Sequence, residues 1–183
     1  MKYITLLLFL CYISCKNDIK TITENEIDIT VYELWNSYVA ANPIAKDAEM
    51  PEADYFHNTK EGANRLAALT VNGKKKASSG LYMLYQHYKV ALPEVGTKQI
   101  ITDFEGKAKA IIEIKRVDTI PFREISEEYA SLDMGTDSEP LKKWRKAHWD
   151  FFTNVMKEQG KQPTEEMLVV CEWFETIWTE KNK

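Results

Sequence analysis

The stretch that most narrows the fold runs from Thr97 to Phe122, TKQIITDFEGKAKAIIEIKRVDTIPF. Two β-rich runs flank the turn-forming pair Glu105-Gly106, which predicts a hairpin. In the first run Ile100, Thr102 and Phe104 alternate with their neighbours. The second, Ala110 to Val117, carries enough isoleucine to be a buried strand. Such a hairpin needs other elements to cover it, and the rest of the chain supplies them. From Thr30, TVYELWNSYVAANP places Val31, Leu34, Trp35, Tyr38 and Val39 on one helical stripe and stops at Asn42-Pro43. NTKEGANRLAALTVNG offers Thr59 as an N-cap, apolar or small residues at Ala63, Leu66, Ala67, Leu69 and Thr70, and a stop at Asn72-Gly73.

The remaining segments follow the same logic. LYMLYQHY predicts one or two helical turns, and ALPEVG a connector. REISEEYASLD is helical in pattern, and MGTDSEP interrupts it. LKKWRKAHWDFFTNVMKEQG then forms an amphipathic helix with Leu141, Trp144, His148, Phe151, Phe152 and Val155 on one side, started by Ser138 and Glu139-Pro140. MLVVCEWFETIW alternates as a closing strand with an apolar first half. Strands and helices in no strict βαβ order predict an α+β fold, with helices packed on a curved antiparallel sheet or barrel.

Composition bounds the size and the partners. A chain of 183 residues with 44% hydrophobic and 28% charged residues matches one globular domain. A formal charge of -4 and a pI near 5.5 argue against charge-driven attachment to duplex DNA. Nucleic-acid contact, if made, is therefore local.

The first residues are a separate segment. Lys2, the apolar run ITLLLFLCYI and then Ser14-Cys15 have the layout of an export signal, so residues 1–14 are set apart from the fold. At about ten residues the run is far short of the ~20 that a spanning helix needs. YISC also resembles a bacterial lipoprotein cleavage box, with Cys15 as the lipidated first residue of the mature chain, although Tyr12 stands where an aliphatic residue is usual. The expected location is outside the cytoplasm, with membrane attachment only through a lipid at Cys15; plain secretion and an uncleaved apolar leader are the alternatives. Residues 15–28 are polar and form a tether, and the domain is expected over 29–183. If the leader is removed, Cys11 goes with it, Cys15 carries lipid and Cys171 is left alone, so that no internal disulfide is then possible. Three cysteines without paired spacing and three histidines argue against a zinc site, and no other metal or cofactor is implied.

The chemistry concentrates in VNGKKKASSGLYMLY, residues 71–85. Lys74, Lys75 and Lys76 follow the stop of a helix, where cations are favoured by roughly 0.3–1 kcal/mol. In an extended segment Lys75 points opposite to Lys74 and Lys76, so the three cannot all face the same way.

NGKKKASS, VGTKQIITDFEGKAKAIIEIKRVDTIPFREISEEYA, PLKKWRKAHWDFF and MLVVCEWFE, in this order, resemble the ASCH domain family, whose fold is a PUA-like β-barrel. The resemblance spans roughly residues 30 to 178. It implies a cleft whose floor carries a glycine, a lysine and, three positions on, a hydroxyl residue; here these are Gly73, Lys75 and Ser78. It also implies a carboxylate that falls on Asp133, where close relatives usually show glutamate. ASCH domains are commonly proposed to bind RNA, and some small members resemble amidohydrolases that deacetylate N4-acetylcytidine. In that chemistry Ser78 is the nucleophile and Lys75 its base, activated by desolvation and neighbouring cations. An aspartate is one methylene short, and misplacement on that scale costs about a hundredfold in rate.

Further candidates are weaker. Lys142, Lys143, Arg145 and Lys146 interleave with Trp144, His148 and Trp149 as stacked bases and phosphates require. Helical spacing assigns Trp144, Phe151 and Phe152 to the core and leaves Arg145 and His148 as cleft candidates. His57, Tyr55 and Phe56 are expected at the surface or in packing, and Cys171 as a buried strand thiol. The expected function is a binding module for a nucleoside, nucleotide or RNA-like ligand, with Lys75, Ser78 and Asp133 at its centre and Gly73, Lys74, Lys76, Arg145 and His148 around them. An amidohydrolase acting on an acylated nucleoside is the alternative, and an interaction module with a degenerate site the third.

Overall fold

A computed structural model describes residues 27–182. The leader, Cys11, Cys15 and the tether up to residue 26 lie outside the described residues.

Helix α1 (Ile29–Ala41) opens on Asp28, whose carboxylate accepts the Thr30 N–H at 2.9 Å. It buries Val31, Leu34, Trp35 and Tyr38 and ends where the Asn42 side chain turns back to the Tyr38 carbonyl at 2.8 Å. After the 3₁₀ turn Pro43–Ala45 come the two-residue strand β1 (Ala53–Asp54) and helix α2 (Lys60–Val71), capped by Thr59. Strand β2 (Ala77–Leu81) leads directly into α3 (Tyr82–Tyr88). The predicted hairpin is β3 (Lys98–Thr102) and β4 (Ala108–Pro121), paired antiparallel with Ile100 opposite Ile111. A 3₁₀ turn, Phe122–Glu124, joins β4 to α4 (Glu127–Met134). Helix α5 (Pro140–Glu158) and strand β5 (Leu168–Thr179) complete the domain.

The five strands form one sheet in the order β1-β3-β4-β5-β2. β1 runs parallel to β3 and every other neighbouring pair is antiparallel, so the sheet is mixed. The expected antiparallel barrel is corrected in this respect: β1 and β2 are not hydrogen-bonded to each other, and the sheet stays open. β1 is too short to close it, and the chain leaves β2 straight into α3. The alpha-plus-beta class stands. Curvature is present as register shifts in the long β4–β5 pair between Ile111 and Ile112 and between Ile114 and Arg116, since bulges bend strands and increase their twist.

Three apolar clusters lie on this bent sheet. Val31, Leu34, Trp35 and Tyr38 of α1 pack on Ile100, Ala108 and Ile111. Ala67 of α2 packs on Ile101, Ile112, Ile114 and Phe174. Phe122, Tyr129, Trp144 and Phe152 cover Ala77, Leu81, Val169 and Cys171. Adjacent residues Ile100 and Ile101 thus belong to different clusters, and both faces of β3 are buried, which removes the expected alternation. Phe104 lies beyond the end of β3, 38% exposed, against the Tyr55 ring. β5 is an interior strand, so Val169, Val170 and Cys171 are all buried, and burial pushes the Cys171 thiol up to about 12. In α5 Trp144, Phe152 and Met156 are buried, but Phe151 is 41% exposed and is not a core residue.

Leu34 is fully enclosed between α1 and the hairpin. Leu34→Ala is expected to destabilise the domain by about 2–5 kcal/mol. The urea midpoint should fall with an unchanged slope, and a loss under 1 kcal/mol would mean that α1 is not part of the cooperative core.

Candidate functional site

The site begins at the end of α2. Gly73 adopts φ +65°, its N–H meets the Thr70 carbonyl at 3.0 Å, and the Lys74 N–H meets Leu69 at 2.9 Å. These two bonds are the left-handed glycine cap that satisfies a helix's last carbonyls. Gly73 therefore steers the chain. The next residues are extended and pinned: the Lys76 N–H bonds the Leu132 carbonyl and the Phe174 N–H bonds the Lys76 carbonyl, both at 2.9 Å. Lys74 and Lys76 are exposed, whereas Lys75 is 3% exposed. The alternation continues inward through Ala77, Ser79 and Leu81.

Lys75 ends against the last turn of α4. Its ammonium donates to Asp133 Oδ1 at 2.5 Å, to the Asp133 carbonyl at 2.9 Å and to the Ala77 carbonyl at 2.7 Å. Carbonyls at a helix C-terminus lack intrahelical partners, so this lysine caps α4 as well as pairing its carboxylate. The amine also lies 4.8 Å from the centroid of the Phe56 ring. Asp133, 3% exposed, has its second oxygen filled too: Oδ2 accepts from Ser79 Oγ at 2.6 Å and from Trp144 Nε1 at 2.8 Å. Burial opposes its ionisation, but the charge of Lys75, the nearby His148 and these donors together hold the carboxyl below its ordinary value.

His148 completes the group. Its ring stacks on Trp144 with centroids 4.3 Å apart, Nδ1 lies 3.0 Å from the Trp144 carbonyl, and Nε2 lies 3.4 Å from Asp133 Oδ2. Burial lowers its affinity for a proton, against the pull of Asp133. Above this floor is a cavity of about 170 Å³ lined by Phe56, His57, Arg65, Ser78, His148 and Phe151, among others. Ser78 is among the residues that line it, and its hydroxyl makes no hydrogen bond to any described residue. A wider groove of about 840 Å³ lies at the start of α1 and around β1, and none of the expected residues lines it.

Of the expected residues, Lys75, Ser78, Asp133 and His148 thus meet at one cavity. Gly73, Lys74 and Lys76 do not line it, and Arg145 points to the far side of α5, where it donates to the Arg123 carbonyl at 2.8 Å. Sequence reasoning missed Ser79, the indole N–H of Trp144 and the rim formed by Phe56, His57, Arg65 and Phe151. His57 holds a left-handed backbone, φ 73°, and its ring fills the space that a side chain on Gly62 would occupy. That glycine was legible only as a helix residue.

The sequence profile of the ASCH domain matches residues 52–178. The chain belongs to the ASCH domain family. A crystal structure of an ASCH domain from Lactobacillus crispatus JV V101 superposes with a TM-score of 0.75 at 26% identity, covering 85% of this chain and 98% of that one. A protein from Enterococcus faecalis V583 superposes with a TM-score of 0.74 at 28% identity, covering 82% of this chain and 90% of that one. No curated protein matches the chain. Within this ASCH domain the shorter aspartate reaches Lys75 directly, so the missing methylene does not break the pair; Ser79 and Trp144 anchor its other oxygen.

Removing one partner of a buried pair strands the other charge. Lys75→Met is expected to cost about 3–5 kcal/mol, and adding Asp133→Asn should restore a large part of it, measured as coupling in a double-mutant cycle of urea midpoints. Additive losses would mean that the two side chains do not interact. A second expectation concerns pH. His148 has a lowered affinity for protons in the folded state, so the unfolded chain takes up a proton near pH 6.5 that the folded chain refuses. Stability is then complete above about pH 6.5 and falls as pH drops toward the lower folded value. Denaturation midpoints between pH 7.5 and 5 should show this fall in the parent protein and a smaller one in His148→Gln; identical slopes would remove His148 as its source.

Proposed function

We propose that this ASCH domain is a binding module for a nucleoside-type ligand, whose flat heterocycle enters the cavity while sugar and phosphate stay at the rim. The observation that carries this reading is the cavity itself, lined by a closed ion pair, by Ser78 and the His148 imidazole, and by Phe151. Its volume of about 170 Å³ is below the ~300–1,000 Å³ of drug-sized sites, so a single ring system fits better than a whole nucleotide. Arg65 and His57 at the opening suit a phosphate or ribose.

The binding reading is favoured over hydrolysis by donor counting. An ammonium has three N–H groups, and all three of Lys75 are engaged by Asp133 and Ala77. For Lys75 to act as the base for Ser78 it would have to abandon this arrangement. The net charge of -4 weakens attachment to long RNA, which needs a basic track. Reading Ser14-Cys15 as the start of an exported, lipid-anchored chain adds to the case for a small ligand, because intact RNA is scarce outside the cytoplasm.

The test is a thermal-shift and calorimetric panel of nucleosides and nucleoside monophosphates on the domain, since a ligand selecting the folded state raises its apparent stability. At least one nucleoside is expected to bind, and Phe151→Ala to weaken it by about 1–3 kcal/mol, the worth of one stacked ring. No binder in the panel would overturn the reading. Acetate release from N4-acetylcytidine, lost in Ser78→Ala, would replace it with the hydrolase.

A further inference from the structure

His148 carries a consequence that geometry alone imposes. Its Nδ1 lies 3.0 Å from the Trp144 carbonyl, which can only accept, so Nδ1 bears the hydrogen. In the neutral ring Nε2 is then a bare lone pair. It makes no hydrogen bond to any described residue, and another acceptor, Asp133 Oδ2, lies 3.4 Å from it. That oxygen already takes donors from Ser79 and Trp144 and has no hydrogen to offer. Two acceptors face each other across a gap, and His148 lines the cavity. The contact is relieved by a proton on Nε2, or by an O–H of water or an N–H or O–H of a guest that takes the water's place.

The groups packed around the ring set the balance between these. Asp133 of α4 draws a proton toward Nε2, whereas Lys75, His57 and burial against Trp144 and Phe152 repel one. Arg65, also lining the cavity, adds a further positive charge on that side. Ser78, also in the lining, carries a hydroxyl that accepts as well as donates. An N–H brought to Nε2 is therefore matched there, and a carbonyl brought to the same point meets a lone pair at His148.

Resting on the nucleoside reading, we infer that His148 is the specificity-determining residue of the cavity, accepting through Nε2 the exocyclic N–H of an amino-bearing heterocycle at the point where the keto counterpart places its oxygen, so that the former is selected over the latter. A proton on Nε2 competes with such a ligand and turns the same atom into a donor for a carbonyl.

Three measurements test this. Nitrogen-15 NMR of the imidazole at pH 7.5 should show Nε2 unprotonated and Nδ1 protonated; the opposite tautomer, or an imidazolium, overturns the inference whether or not any ligand is in hand. Calorimetry at pH 7.5 should give cytidine at least about a tenfold lower Kd than uridine, the order expected from one hydrogen bond that would otherwise be left unmade. That ratio should shrink toward pH 5.5, and in His148→Phe, which keeps a ring against Trp144, it should drop to within about twofold. His148→Gln serves where the phenylalanine variant does not fold, because its side-chain oxygen can still accept and should retain part of the preference. Equal binding of cytidine and uridine, or a ratio unmoved by the phenylalanine variant, overturns the inference while leaving the nucleoside reading intact. Failure of every nucleoside removes that reading instead; 2-aminopyridine and 2-methoxypyridine, which has no N–H, then serve as probes of His148, and a Kd for the amine no lower than for the ether overturns the inference as well.

Discussion

The buried pair of Lys75 and Asp133 is the constraint on which the rest of the site is arranged. Taking an ammonium and a carboxylate out of water is costly, and their mutual attraction offsets that cost only if the remaining donors and acceptors are also matched. Here they are. Lys75 has three acceptors, and Asp133 has a lysine, a hydroxyl and an indole N–H on its two oxygens. Among the described residues no buried side-chain nitrogen or oxygen lacks a partner. The pair also joins elements that are distant in sequence: 58 residues separate its members, and through it the segment after α2 is fastened to the C-terminal turn of α4.

That fastening explains where the cavity sits. α2 packs on Ile101, Ile112, Ile114 and Phe174, while α4 and α5 pack on Ala77, Val169 and Cys171. The cavity lies where α2 and the loop before it face α4 and α5 beside β2, lined by residues of each. Polar groups occupy the bottom because the backbone there has carbonyls to satisfy, those of Ala77 and Asp133. The opening is left to Phe56, His57, Arg65 and Phe151, which project from the loop before α2, from α2 itself and from α5.

Much of this was legible in the sequence, and the reasons differ by residue. The hairpin and the caps Thr59 and Asn72-Gly73 are local signals, read where they occur. Lys75 was separable from Lys74 and Lys76 by strand parity. The same parity, carried four residues on, points to Ser79 facing inward with Lys75, yet attention fell on Ser78 because the family pattern names that spacing. Trp144 was rightly placed in the core by helical spacing, but periodicity says nothing of where an indole N–H goes. Phe151 was misplaced for a related reason: next to the buried Phe152, it lies at the margin of the apolar stripe, where a cavity and a core look alike in sequence. Arg145 drew notice among aromatics, but its partners, the Arg123 carbonyl and Glu165, come from chain segments that no local pattern connects to it. Closure of the sheet depends on whether two edges meet, a long-range property that strand patterns alone do not encode.

Aspartate at position 133 then acquires a physical reading beyond that of a shortened glutamate. A carboxylate on a shorter stem holds Lys75 down against the end of α4, where the helix's own carbonyl and Ala77 take its other two hydrogens. The cation lines the cavity with all three of its hydrogens already taken and its charge paired on the spot. Beside it the lining carries Ser78, Arg65 and the ring of His148, whose Nε2 has no hydrogen-bond partner among the described residues. The charge that first marks this site in the sequence is, in the folded domain, buried and paired.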